Sequence, residues 1–195
     1  MTSADLIAAV MPVAECLERL GVRWFLTGST ASSAHGIARA SIDGDLVAEL
    51  EPAHVDALVA CLGNAYYVPA EPLRAAVGER RSFNLIHLST MFKVHVFVSR
   101  QRGFDLAAAD RATTEPLDDA ADAPRLPTAT PEDTVLAKLE WFRRGGEVSE
   151  RQWWDIIGVL RVARHADRAH LRTWAIQLGV ADLLERALAA ADDET

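Results

Sequence analysis

The sequence predicts an α+β fold in which a mixed sheet is flanked by helices and followed by a four-helix C-terminal module. Three observations predict it. Up to about residue 112, β-rich runs alternate with helical patterns. Residues 113–130 hold Pro116, Pro124 and Pro127 among small and acidic residues. From Thr130 onward the apolar residues fall at helical spacing and no further β run occurs. The expected organisation is an α/β core over 1–112, a Pro- and acid-rich connection over 113–130, and a helical module over 131–195.

The elements follow in order. Leu6, Ile7, Val10, Val13, Cys16, Leu17 and Leu20 recur at three and four spacings, which predicts an amphipathic helix over 4–20 closed by Gly21. A short strand over 22–27 ends at Gly28-Ser29, and the small residues of 30–35, stopped by Gly36, predict a short helix directly after it. A second strand, 45–50, begins at a carboxylate. Pro52 then opens a helix running to Leu62 and Gly63. Residues 66–68 read as a short strand and 71–78 as one or two helical turns. The runs 83–88 and 92–98 flank Ser89-Thr90-Met91 and predict adjacent antiparallel strands. In the second half, Thr130 and Pro131 cap a helix reaching Gly145-Gly146, and Ser149-Glu150-Arg151-Gln152 opens another. Two more helices, about 167–178 and 181–191, meet at Gly179.

Composition bounds the function. The chain has 195 residues, enough for one core without staples, and its mean hydropathy of +0.04 is that of an ordinary globular protein. It has 28 acidic against 20 basic residues, a formal net charge of −8. That excess argues against coating of extended duplex DNA, which relies on surplus Lys and Arg. The acid is unevenly spread: residues 135–180 carry eight bases against five acids, whereas 111–134 carry two against six and 181–195 one against five. The basic stretch therefore leaves room for a phosphate-bearing substrate or a short RNA end near Lys138, Arg143 and Arg144. Cys16 and Cys61 sit in apolar helical segments without partners at metal or redox spacing, so both are expected as buried free thiols of a reducing compartment. No run approaches the ~18 apolar residues of a membrane span, and the expected setting is cytoplasmic, with no membrane partner.

Three features of the first half carry chemistry together. Gly28 and Ser29 follow a strand and open a helix, where backbone amides and a hydroxyl can approach phosphate oxygens. Arg39 precedes the carboxylates and can hold a phosphate or brace one of them. Asp43 and Asp45 lie two residues apart, hence on one face of a strand, and such a pair can hold Mg²⁺ against substrate phosphates. Gly44 between them is expected to leave room for a close-lying substrate. The order strand, Gly-Ser, helix, Asp-x-Asp, strand resembles the nucleotidyltransferase superfamily, with the DNA polymerase beta-like fold.

The second half extends the likeness. The run Pro131 to Arg143, then Gly145-Gly146-Glu147 and Arg151-Gln152-Trp153-Trp154-Asp155-Ile156, resembles the AbiEii-type branch, nucleotidyltransferase toxins of toxin–antitoxin systems. The resemblance implies that Lys138 and Asp155 join the Asp pair. Read alone, Lys138 at the edge of its apolar stripe is equally a snorkelling surface lysine, although Lys93 and Lys138 are the only lysines beside eighteen arginines. Asp155 alone is equally a solvated aspartate paired with Arg151. One departure stands out. The family pattern Phe-Lys-Val-Asp-Val-Phe-Val appears here as Phe92-Lys93-Val94-His95-Val96-Phe97-Val98. Imidazole suits Zn²⁺ or Cu²⁺ better than Mg²⁺, so His95 weakens a two-ion site, serves as general base, or marks decay to a silent nucleotide- or partner-binding protein. Arg80 and Arg81 flank a loop and read as solvated or as guides for an acceptor. Trp141, Trp153, Trp154 and Trp174 are expected in core packing.

What the resemblance implies is a nucleotidyltransferase that moves an NMP group from an NTP to a hydroxyl of RNA, protein or a small molecule. Its cofactor would be Mg²⁺ or Mn²⁺ on Asp43 and Asp45. Gly28, Ser29 and Arg39 would hold the nucleotide, with Lys138, Asp155 and His95 at the reacting groups. A tRNA or other RNA end as acceptor and an antitoxin protein as partner belong to the same expectation.

Overall fold

The strand Phe92–Val98 alternates without a break: Phe92, Val94, Val96 and Val98 are buried and Lys93, His95 and Phe97 only half so. The segment Asp43–Ala48 does the same, burying Gly44, Leu46 and Ala48. Period-two burial of this kind gives each strand an apolar face and a face that can carry polar side chains. The computed structural model describes residues 3–34, 43–117, 120 and 122–193, and in it these two strands pair in parallel at the centre of the sheet. Asp43 lies opposite Lys93 and Asp45 opposite His95.

Seven strands form the sheet: β1 (Trp24–Leu26), β2 (Asp43–Ala48), β3 (Tyr66–Tyr67), β4 (Ser82–His87), β5 (Phe92–Val98), β6 (Thr113–Pro116) and β7 (Arg125–Thr128). Their order is β3-β4-β5-β2-β1-β7-β6. β4 and β5 pair antiparallel, β1 runs antiparallel to β2, and β7 joins β1 in parallel at Leu26 and Thr128. The helices are α1 (Ser3–Arg19), α2 (Gly28–Ala34), α3 (Val55–Leu62), α4 (Ala70–Gly78), α5 (Gly103–Arg111), α6 (Pro131–Arg144), α7 (Glu150–Val162), α8 (Arg168–Leu178) and α9 (Ala181–Asp192). The mixed α+β architecture with four C-terminal helices is the predicted one.

Two apolar clusters lie on opposite faces of the sheet. One packs Val10, Val13 and Leu17 of α1 and Leu58 of α3 against Leu46, Val94 and Val96. The other packs Phe25, Phe104, Leu136, Leu139, Ile156 and Leu184 together, drawing on β1 and α5–α9. Trp24 and Leu26 belong to the first cluster and Phe25 to the second, so β1 alone shows which face each helix group covers. The half-buried positions of β2 and β5 lie on the face of the second cluster, to which Val47 contributes.

Four expectations need correction. The stretch 113–130 is no plain connection: β6 and β7 pair with each other and extend the sheet. Pro116 is accommodated on the edge strand, where no ladder donor is required. α5 interrupts the expected core without a sequence signature, because only Phe104 and Ala108 of it are buried, too few for a periodic stripe. Gly44 does not make room for a substrate. A Cβ there would lie 2.7 Å from Cγ2 of Val10, so this glycine lets α1 approach the far face of the sheet. Cys16 and Cys61 form a disulfide between α1 and α3, since the two helices pack side by side; they are not free thiols and do not argue for a reducing compartment. Among the described residues no helix is long and apolar enough to cross a membrane.

Candidate active site

The half-buried face of β2 and β5 forms the floor of a cleft of about 510 Å³, within the usual range for small-molecule sites. Its lining includes Gly28, Ser29, Asp45, His95, Lys138 and Asp155. β1 delivers Gly28 to the edge of β2, where the chain turns with φ +60°. Glycine tolerates that conformation without steric cost. It is required on a second count, because a Cβ at Gly28 would stand 2.4 Å from Oδ2 of Asp45. The next residue grips the same oxygen: the Ser29 amide donates to it at 3.1 Å and the Ser29 hydroxyl at 2.9 Å. The Asp45 amide in turn donates to Oγ1 of Thr30 at 3.1 Å.

Across β2 and β5 the carboxylates meet two basic side chains. Nδ1 of His95 lies 3.6 Å from Oδ1 of Asp45, just beyond hydrogen-bond range. Nζ of Lys93 lies 2.9 Å from Oδ2 of Asp43. Asp43 is the more exposed of the pair, 30% against 15% for Asp45, and is not among the residues lining the cleft.

The opposite wall comes from α6 and α7. Thr130 caps α6 by accepting from the Asp133 amide, with Pro131 in the first turn. Val135, Leu136, Leu139 and Phe142 point into the core, which turns Ala137, Lys138, Trp141 and Arg144 toward the cleft at the three and four spacings of one helix face. Nζ of Lys138 donates to Oδ2 of Asp155 at 3.4 Å, and both side chains are largely buried, 12% and 15% exposed. Asp155 thus pairs with Lys138.

The donor set can be tested for an ion. Asp43 and Asp45 present oxygens on one strand face, but the third strand position is a nitrogen ligand. Among the described residues no group of three or more His, Cys, Asp or Glu side chains could hold a metal. Mg²⁺ commonly takes one or two carboxylates and completes its shell with water and substrate phosphates. The residues therefore fit a single ion brought with a nucleotide and do not fit a preformed two-ion centre.

Of the site residues expected from sequence, Gly28, Ser29, Asp45, His95, Lys138 and Asp155 are brought together, and Asp43 stands beside them on Lys93. Arg39 lies outside the described residues, as do His35 and Gly36. Arg143 turns away to Asp182 and Glu147. Trp153 and Trp174 pack on the second core as expected, but Trp141 and Trp154 do not, being 43% and 57% exposed. Missed altogether were Arg100 and Arg102, which line the cleft together with Arg80 and Arg144. The recurrence Ala137, Trp141, Arg144 beside Lys138 was a usable signal for the α6 contribution. The arginines following β5 had none, because only the pairing of β5 with β2 sets the end of β5 beside the strand of the Asp pair.

No family model and no curated protein matches the sequence. Among solved structures, the chain superposes on an antigenic nucleotidyltransferase-like protein from Paracoccidioides brasiliensis with a TM-score of 0.57 and 18% identity, covering 97% of this chain and 94% of that one. Two further matches are the antibiotic-resistance factor ANT(2'')-Ia, TM-score 0.49 at 14% identity over 99% and 94% of the chains, and the lincosamide antibiotic adenylyltransferase LnuA, 0.47 at 14% over 84% and 99%. The first of these shows that the chain shares the nucleotidyltransferase-like fold.

Proposed function

We propose that the chain transfers a nucleoside monophosphate group from an NTP to a hydroxyl acceptor. The observation that carries this reading is the corner where Gly28 and Ser29 close on Asp45, in one cleft with the Lys138–Asp155 pair. The amide and hydroxyl of Ser29, engaged with the carboxylate, are the donors a phosphate oxygen can take over. Mg²⁺ or Mn²⁺ held by Asp43 and Asp45 would supply charge neutralisation at the phosphates. Lys138, oriented by Asp155, places an ammonium where the transferred phosphoryl group gathers negative charge. The acceptor oxygen forms a bond to the α-phosphorus as the bond to the β-phosphate oxygen breaks and pyrophosphate leaves. His95 takes the proton of the attacking hydroxyl.

A second reading, silent nucleotide binding, is favoured by His95 in the third strand position and by Lys93 on Asp43. The narrower AbiEii-type toxin reading, with an RNA acceptor and an antitoxin partner, rests on the residues of α6 and α7 alone. Incubation with each NTP labelled at the α- or the γ-phosphate, Mg²⁺ or Mn²⁺, total RNA and cell lysate tests the proposal. Transfer of α-label but not γ-label, abolished in Asp43→Asn at unchanged Tm, is expected. Full transfer by Asp43→Asn would falsify it. Binding of Mg–NTP without labelling, with labelling restored by His95→Asp, would establish the silent reading instead.

A further inference from the structure

The far end of the cleft holds more arginines than carboxylates, with Asp105 and Glu140 among Arg80, Arg100, Arg102 and Arg144. β5 leads from His95 to Val98, and Ser99 and Arg100 follow its end. There Arg80, Arg100, Arg102 and Arg144 converge on the lining. Two of them are balanced: Arg102 pairs with Asp105 and Glu140, and Arg144 shares Glu140. The other two make no close ion pair among the described residues, although Glu140 and Asp105 attract Arg100 at longer range. Arg80 donates to the carbonyl of Ser99 and the side chain of Gln101, neither of which is charged. Arg100 makes no hydrogen bond or ion pair among the described residues. Partial burial, Arg144 and Arg102 hold its guanidinium below the usual value against the pull of Glu140 and Asp105, and the residue stands exposed at the mouth of the cleft.

Two further observations mark the place. Arg80 and Gln101 have φ of +50° and +55°, a conformation costly for non-glycine residues that persists where surrounding structure imposes it, commonly at ligand sites. Beside them runs an aromatic surface. The rings of His95 and Phe97 lie 4.1 Å apart, Phe97 and Trp141 5.6 Å, and Arg144 stands over Trp141 at 5.6 Å. Trp141 is exposed in the cleft instead of filling the core, and an exposed indole beside arginines is a platform for a flat ring.

We infer that this end is the acceptor subsite, recognising a small acceptor that offers a phosphate to Arg80 and Arg100 and a planar ring to Trp141. Resting on the transferase reading above, it names the acceptor class as a phosphorylated, mononucleotide-sized molecule.

The test separates the two claims. Titration calorimetry measures binding of the non-transferable donor α,β-methylene-ATP with Mg²⁺, then binding of AMP to donor-saturated protein. Ribose 5-phosphate, adenosine and a short single-stranded oligoadenylate serve as comparison probes. Wild type is expected to bind AMP better than either fragment, and Arg100→Ala and Trp141→Ala to lose about ten-fold or more each while binding the donor normally. Arg100→Lys should recover part of the loss. Donor binding without Arg100-dependent AMP binding overturns the subsite alone. Oligoadenylate binding ten-fold tighter than AMP overturns the small-acceptor assignment. Failure to bind the donor at all overturns the transferase reading.

Discussion

Gly28 packs on the Asp45 carboxylate and Gly44 precedes Asp45 on the opposite face of β2, and each excludes a side chain for a different reason. At Gly28 a methyl group would strike the Asp45 carboxylate, in a backbone conformation that already disfavours side chains. At Gly44 it would strike Val10 in the core. Gly28→Ala is therefore expected to displace Asp45 and abolish nucleotide binding. Gly44→Ala should cost about 1–3 kcal/mol of stability by overpacking and leave binding intact. Urea denaturation beside nucleotide titration distinguishes them, and wild-type binding by Gly28→Ala would refute the described corner. At this scale the sequence was informative where chemistry depends on short spacing, as for Gly28-Ser29 and Asp43-Gly44-Asp45. It misled at Gly44, because the direction of a missing Cβ depends on which face of the strand each helix covers.

α6 is the element on which the site depends most. One face of it joins the core through Leu136 and Leu139, and another lines the cleft from Ala137 to Arg144. Its first turn also fixes the next helices. The amide of Asp167, ahead of α8, donates to Oε1 of Glu132 at 2.8 Å, and Arg111 of α5 approaches the same carboxylate. Burial would raise the Glu132 carboxyl, but the amides of Asp167 and Glu132, the Thr130 hydroxyl and Arg111 outweigh it and hold the group below its ordinary value. A carboxyl depressed in the folded state contributes stability that is complete above its unfolded value and is lost as pH falls through the folded one. Glu132→Gln is accordingly expected to lower the urea midpoint at neutral pH, with the difference from wild type shrinking as pH falls through and below the ordinary carboxylate range. A difference constant across that range would refute the assignment. The four C-terminal helices were legible because apolar spacing runs through each of them, with side-chain caps opening α6, α7 and α8 and glycines closing α6 and α8. α5 and the β6–β7 pair were not, since one buries too little and the other is held by a sheet edge its own residues do not announce.

For the whole molecule, a net charge of −8 coexists with a cleft whose far end is lined by Arg80, Arg100, Arg102 and Arg144. Much of the acid lies in residues 111–134 and 181–195, so bulk charge describes the surface and not the site. The fold reconciles them by pairing β2 with β5 in parallel, which places the Asp pair, His95 and Lys93 on one face, and by laying α6 along that face. The cysteines show the same limit of local reading: nothing near Cys16 or Cys61 in sequence indicates that α1 and α3 lie side by side. Asp43 and Asp45 are proposed to bind the donor nucleotide through a divalent ion, with Ser29 donating to a phosphate, and the most direct measurement is NTP affinity in Mg²⁺ and in EDTA for wild type and Asp45→Asn. The expected result is a loss of about ten-fold or more on chelation in wild type and weak, Mg²⁺-independent binding in the variant. Equal affinity with and without the ion in both proteins would contradict it.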